Sequence, residues 1–168
     1  GVSKGISQES VERDDEGRFV RLITGDEVRT DGFEYTNDEI KFRIQNTLGL
    51  VPINDSSQFW LRQYLSKSGV SLLLQNSLLD KLHDYADHDD IPRAVGDEGS
   101  DRYLPANYLL QTCFELYSIP GWAGFLKENA QIIEACSLLR GGRVNINAMP
   151  EHLLRIFWPQ YADNIISA

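Results

Sequence analysis

Basic residues are the scarcer charged type in this sequence. The chain has 16 lysines and arginines against 25 aspartates and glutamates, which gives a net charge of −9 at pH 7. Affinity for DNA or RNA without sequence preference comes largely from lysine and arginine contacts to phosphate groups. The charge balance therefore argues against a nucleic-acid partner.

Long apolar runs and targeting segments are also lacking. No run approaches the roughly 20 apolar residues that span a bilayer. The opening GVSKGISQES resembles neither a signal peptide nor a transit peptide. With 42% hydrophobic residues among 168, the chain can build a genuine core in one domain or two small ones. We expect a soluble, folded protein.

Motifs for catalysis are missing as well. The histidines His83, His88 and His152 lie in no recognisable nucleophile motif. The sequence contains no HExxH, no CxxC and no glycine-rich phosphate loop. We therefore predict that the protein is not an enzyme.

Cysteine is limited to two residues. Cys113 lies in NYLLQTCFELY and Cys136 in AQIIEACSLLR, and both segments have the apolar pattern of helices. Free cysteines are commonly buried as small apolar side chains, and this pattern favours two unbridged cysteines. A disulfide is the alternative if the protein works in an oxidising compartment.

The chain changes character near residue 55. Earlier segments alternate aromatic and β-branched residues between turn signals, which predicts strands within 18–23, 32–35 and 40–45. Later segments have helical spacing, which predicts helices within 56–70, 76–88, 105–119, 122–139 and 150–158. The expected fold class is α+β, with a strand-rich portion at 1–54 and a helical domain at 55–168. The core is expected to contain Trp60, Leu65, Leu79, Leu110, Leu116, Ile132, Leu138 and Leu153.

Two later segments, 118–133 and 145–157, each place a turn with proline or glycine before an apolar helix. This arrangement is typical of a helix-hairpin-helix. Asn145 and Asn147 suit the second turn because asparagine side chains bond to nearby backbone groups. We assign these asparagines a structural role.

Acidic residues are concentrated in DYADHDDIPRAVGDEGSDRY, residues 84–103. Seven carboxylates lie between Asp84 and Asp101, with Arg93 as the only lysine or arginine among them. Such a cluster repels itself unless it stays in water or folds around positive charge. The loop is therefore a solvated acidic loop, a cation site or an acid/base catalytic centre.

The composition of this loop suits a hard cation. Calcium takes six to eight oxygen ligands from a flexible backbone, and Gly96 and Gly99 allow the chain to fold back on itself. The loop is not an EF-hand, since Pro92 stands where that motif needs glycine. The candidate ligands are the carboxylates that such a fold can gather: Asp84, Asp87, Asp89, Asp90, Glu98 and Asp101.

Four segments in order carry a family resemblance: KFRIQNTLGLVPIN (41–54), LLDKLHDYADHDDIPRAVGDEGSDRYLPAN (78–107), CFELYSIPGW (113–122) and RVNINAMPEHLL (143–154). Together they resemble the K-type minor pseudopilins of the type II (general) secretion pathway. That family has an acidic D-W-x-D-x-D-x-x-P run followed by G-A-E. Tyr85, Asp97 and Ala148 depart from the family's Trp, Ala and Thr, and none of the departures removes an oxygen ligand from the acidic loop.

The resemblance implies a pilin-like strand-rich portion and a calcium-binding helical domain of two sterile-alpha-motif-like (SAM-like) or helix-hairpin-helix units. It also implies a periplasmic protein that caps the pseudopilus tip with I- and J-type minor pseudopilins. Secreted proteins are further candidate partners. The family's N-terminal membrane helix and its later strands are missing, and we expect this chain to be a trimmed, soluble part of a longer protein anchored in the inner membrane before assembly.

Two other functions remain open at this point. The NINAMPEHLL segment also resembles the turn of helix-hairpin-helix DNA receptors, although Glu151 and the net charge oppose phosphate binding. A metal-dependent hydrolase that uses the acidic loop would need an open coordination position beside a substrate pocket.

Overall fold

The structure of the protein, a computed structural model, describes residues 11–13, 19–21, 28–36, 39–89, 91–96 and 104–166. Within these residues the strands form two antiparallel hairpins and one short parallel pair. The hairpins join β1 (Val11–Arg13) to β2 (Phe19–Arg21) and β3 (Asp31–Thr36) to β4 (Lys41–Gln45). The parallel pair joins β5 (Val51–Pro52) to β6 (Cys136–Ser137). The three predicted strand segments are confirmed.

The described helices are α1 (Phe59–Lys67), α2 (Leu72–Ala86), α3 (Trp122–Leu126), α4 (Gln131–Ala135), α5 (Glu151–Phe157) and α6 (Ala162–Ile166). Helix α2 begins at Ser71, whose hydroxyl accepts a hydrogen bond from the Leu74 N–H. Soon after α1 ends, Gly69 adopts a left-handed φ of 80° that favours glycine. The mixture of helix and strand confirms the α+β class. None of the described helices combines the length and the apolarity needed to cross a bilayer.

The helix predicted at 105–119 is wrong over most of its length. Residues 105–112 are not helical, and a 3-10 helix begins only at Cys113 (Cys113–Ser118). Thr112 and Glu115 form a capping box that fixes this start. Periodicity of the apolar residues indicated the segment but did not locate its beginning.

The continuous helix predicted at 122–139 is also wrong. It is divided into α3 and α4, and the Asn129 side chain donates to the Phe125 carbonyl at the break, with a distance of 2.9 Å. The chain then leaves the helical conformation at Cys136 to pair with β5. Pairing with a distant strand is a tertiary effect that helical spacing does not reveal.

One buried cluster unites the helices with residues before them. Trp122 is fully buried, and its indole Nε1 donates to the Leu78 carbonyl at 2.8 Å. Leu50 and Ile53 belong to the same cluster as the helices. The predicted core residues that are buried are Leu65, Leu79, Leu110, Leu116, Ile132 and Leu153, whereas Trp60 and Leu138 are partly buried at its margin.

Cys113 and Cys136 form a disulfide bond. The expectation of two free cysteines on helices is therefore wrong. The cysteines are 23 residues apart in sequence, but the fold brings the 3-10 helix beside β6. Disulfides of this structural kind are typical of oxidising compartments.

Candidate metal centre

The end of helix α2 brings three potential metal ligands together. His83, Asp84 and Asp87 each offer one ligand atom, and these atoms lie within 4.8 Å of one another. His83 and Asp87 are four residues apart and therefore share a helix face. The helix ends here because Asp87 is its C-cap, with its N–H bonded to the His83 carbonyl at 2.9 Å. We call these three residues the helix-end cluster.

Asp84 lies at the centre of the contact between α2 and the following loop. Its side chain is 0% exposed, and its Oδ2 accepts a hydrogen bond from the Arg93 N–H at 3.0 Å. The loop passes so close to this carboxylate that a Cβ added to Gly96 would lie 1.6 Å from Oδ2. The predicted role of Gly96, which is to let the chain fold back, agrees with this approach.

Both ring nitrogens of His83 have a hydrogen-bond partner. Its Nδ1 lies 2.9 Å from Asp87 Oδ2, and Arg93 Nη2 lies 2.7 Å from its Nε2. A guanidinium group can only donate hydrogen bonds, which makes Nε2 the acceptor and leaves the proton on Nδ1. This assigns the neutral tautomer, which donates to Asp87.

Asp87 has an oxygen suited to a cation. Its Oδ1 is buried and has no hydrogen-bond partner among the described residues. A buried polar atom without a partner destabilises the folded state by roughly 1–3 kcal/mol, and more when it is charged. A cavity of about 290 Å³ beside it is lined in part by Asp55, His83, Asp87 and His88. A cation bound here would satisfy this oxygen.

The donor set fits a hard cation better than a transition metal. Imidazole nitrogen typically binds zinc, copper, iron and nickel, but the helix-end cluster offers one imidazole against two carboxylates. The carboxylates of Asp84 and Asp87 are oxygen ligands of the kind that calcium prefers. These two residues would hold the ion, and the ion would neutralise their charges.

The structure gathers two of the six ligands predicted from sequence. Asp84 and Asp87 lie in the helix-end cluster, whereas the Asp89 carboxylate accepts from the Ile91 N–H at 2.9 Å and is not part of the cluster. The remaining three, Asp90, Glu98 and Asp101, lie outside the described residues. Sequence reasoning missed His83, although its four-residue spacing from Asp87 was a usable signal.

Tyr85 connects the same helix end to the 3-10 helix. Its hydroxyl donates to Glu115 Oε2 at 3.3 Å, while Glu115 Oε1 accepts from the N–H groups of Gln111 and Thr112. Burial, followed by the negative charge of Glu115, raises the pKa of Tyr85 to about 12. The raised pKa keeps the phenol protonated, and therefore a donor, further into alkaline solution than that of an unperturbed tyrosine.

Comparison with known proteins adds no relative to this picture. No protein-family model matches the chain, and no curated protein matches its sequence.

Proposed function

We propose that this chain belongs to a K-type minor pseudopilin, a non-enzymatic protein that caps the tip of the type II secretion pseudopilus. The four sequence segments in family order support this proposal. The disulfide supports the periplasm as its compartment, because structural disulfides persist in oxidising surroundings.

The finer fold belongs to the same proposal. We assign the β-hairpins to a pilin-like portion and the helices to two SAM-like units. The turn before α5 supports the second unit, because Asn145 Oδ1 accepts from the Asn147 N–H and Pro150 stands at the helix N-cap. This contact also agrees with the structural role predicted for Asn145.

The helix-end cluster is the observation on which the proposal mainly rests. It lies within the acidic segment that carries the family resemblance, and it contains two of the predicted calcium ligands. Calcium bound to Asp84 and Asp87 would neutralise two carboxylates at the end of α2, where the N–H of Arg93 in the following loop bonds to Asp84.

Calcium-dependent stability tests this function. If the native state alone binds the ion, calcium at a hundredfold excess over its Kd stabilises the protein by about 2.7 kcal/mol. Asp87→Asn is expected to remove most of that gain, whereas the matched change Asp163→Asn, far along the chain in α6, is expected to preserve it. Identical melting curves in calcium and in chelator would refute the calcium proposal.

Assembly tests the pseudopilin proposal separately. We expect purified I- and J-type minor pseudopilins to form a stoichiometric complex with this chain, measured by size-exclusion chromatography with light scattering. Failure to form the complex with either partner or with both together would contradict the capping role, whatever the outcome with calcium.

A further inference from the structure

The Arg93 side chain contacts two of the three residues of the helix-end cluster. Its Nη2 lies 2.7 Å from His83 Nε2, and its Nε lies 3.9 Å from Asp84 Oδ1. It is the only lysine or arginine between Asp84 and Asp101 in the sequence. Its guanidinium group therefore supplies positive charge beside the Asp84 carboxylate in the metal-free protein.

The backbone of Arg93 is fixed independently of its side chain. Its N–H donates to Asp84 Oδ2 at 3.0 Å, and its carbonyl accepts from the Gly96 N–H at 3.1 Å. The side chain itself is 48% exposed. The guanidinium group can thus swing into solvent while the loop keeps its attachment to α2.

We propose that Arg93 is a built-in competing cation, which neutralises the helix-end cluster when no ion is bound and must leave when a divalent cation enters. This inference rests on the proposed calcium site and adds a regulatory residue to it. A bound cation and the Arg93 guanidinium group are both positively charged, and they repel each other when both lie close to Asp84. The two therefore compete for the same carboxylate. The arginine therefore sets the calcium concentration at which the site fills.

Removal of the charge is expected to tighten calcium binding. Arg93→Gln keeps a polar side chain of similar reach and leaves the backbone contacts intact. We expect its calcium Kd to fall by about tenfold or more, which is the range by which a neighbouring charge changes proton affinity. Arg93→Lys keeps the charge and is expected to stay within about threefold of the unmodified protein. Chelator-competition titration at constant ionic strength measures all of these values.

A matched control separates local competition from net charge. Arg62→Gln removes the same charge from α1, where the Arg62 side chain donates to Asn76 rather than to a carboxylate. Its calcium Kd is expected to be unchanged. An equal gain in affinity for Arg62→Gln and Arg93→Gln would overturn the inference, as would an unchanged or weaker affinity in Arg93→Gln.

In the metal-free protein, the loss of the Arg93 charge should have the opposite effect and destabilise the fold. Without calcium, Arg93→Gln is expected to lower the melting temperature because the cluster loses its counter-charge, and with saturating calcium the difference from the unmodified protein should shrink. A melting temperature equal to that of the unmodified protein without calcium would count against the inference.

A spectroscopic readout on the unmodified chain covers the case in which the variants fold poorly. The ¹⁵N resonance of His83 Nε2 should shift on calcium saturation, because its bond from Arg93 is lost. Calcium binding with an unmoved Nε2 resonance would show that Arg93 stays in place, and the inference would fail while the calcium site stood. If neither the unmodified chain nor Arg93→Gln binds calcium, the proposed site fails and this inference falls with it.

Discussion

The helical core and the β3–β4 hairpin use apolar side chains in opposite ways. In the helices Leu61, Leu65 and Trp122 are fully buried, whereas no residue of β3 or β4 is buried in the described structure. Phe33 and Phe42 on the hairpin are 45% and 47% exposed. Apolar pattern alone therefore does not bury a side chain, and a second element must cover the face that it occupies.

The hairpin is held by a polar pair and by an aromatic pair. Glu34 is opposite Arg43 in the register and bonds to it at 2.9 Å, and both residues line a cavity shared with Glu151 and His152. The Tyr35 ring stacks on Phe42, its partner in the register. Isolated two-stranded hairpins are marginally stable, so this hairpin depends on local pairs rather than on the common core.

The largest expected effect comes from a core aromatic. Trp122→Ala removes a fully buried ring and leaves the Leu78 carbonyl without its indole donor, and it should lower the free energy of unfolding by about 3–5 kcal/mol. Phe42→Ala on the hairpin is the matched change and should cost less than about 1 kcal/mol. Urea denaturation measures both. Equal losses would break the contrast between the two regions.

Reduction of the disulfide should have the next largest effect. The bridge closes a loop across 23 residues within the helical region, and its loss should cost about 3 kcal/mol in the chain-entropy account. Melting temperature with and without reductant measures this loss. The double variant Cys113→Ser/Cys136→Ser should melt at the lower temperature in both conditions, and a remaining response to reductant in that variant would contradict the assignment.

A glycine pair tests how closely the acidic loop packs on α2. Gly96→Ala would drive a methyl group into the Asp84 carboxylate, and we expect a loss of about 1–3 kcal/mol, as for other overpacked sites. Gly141→Ala is the control, because a Cβ at that position meets no atom within 4 Å. Thermal unfolding compares the two variants. A Gly96→Ala protein as stable as the control would mean that the loop moves away from Asp84 at little cost. The loop would then be packed as loosely as we expect for the β3–β4 hairpin.

The elements that sequence predicted well are those fixed by local signals. The strands β3 and β4 follow from alternation, and α5 follows from a proline immediately before a helical apolar pattern. The break between α3 and α4 accompanies a local bond from the Asn129 side chain to the Phe125 carbonyl, which apolar spacing does not register. The pairing of β6, by contrast, depends on contacts with residues far away in sequence. Local patterns contain no information about those contacts.

The residues of the candidate site likewise fall into those that local sequence signals predict and those that only the tertiary fold brings together. Asp84 and Asp87 could be predicted because acidic residues cluster visibly in sequence, and Gly96 because a loop that folds back needs space. The position of Arg93 against His83 could not be predicted, because it requires the loop to return to the helix at one particular register. The disulfide was missed for the same reason, since sequence gives no distance between Cys113 and Cys136.

The smallest expected effect concerns Tyr85 and appears only in alkaline solution. Its folded pKa is about 12, whereas an unperturbed tyrosine has a pKa near 10. Below pH 10 both the folded and the unfolded states keep the phenol proton, and its contribution to stability is fully present. Between about pH 10 and 12 the unfolded state ionises first, and stability falls as pH rises.

Tyr85→Phe removes both the hydrogen bond to Glu115 and this titration. The difference in unfolding free energy between the unmodified protein and Tyr85→Phe should therefore be constant from pH 7 to about pH 9.5 and then shift against the unmodified protein. Urea denaturation at several pH values measures the difference, and the other tyrosines cancel because both proteins contain them. A difference that stayed constant through pH 11.5 would show that Tyr85 ionises alike in both states. Such a result would show that the contact between Tyr85 and Glu115 does not stabilise the packing of α2 against the 3-10 helix. The buried core and the disulfide would then account for that packing.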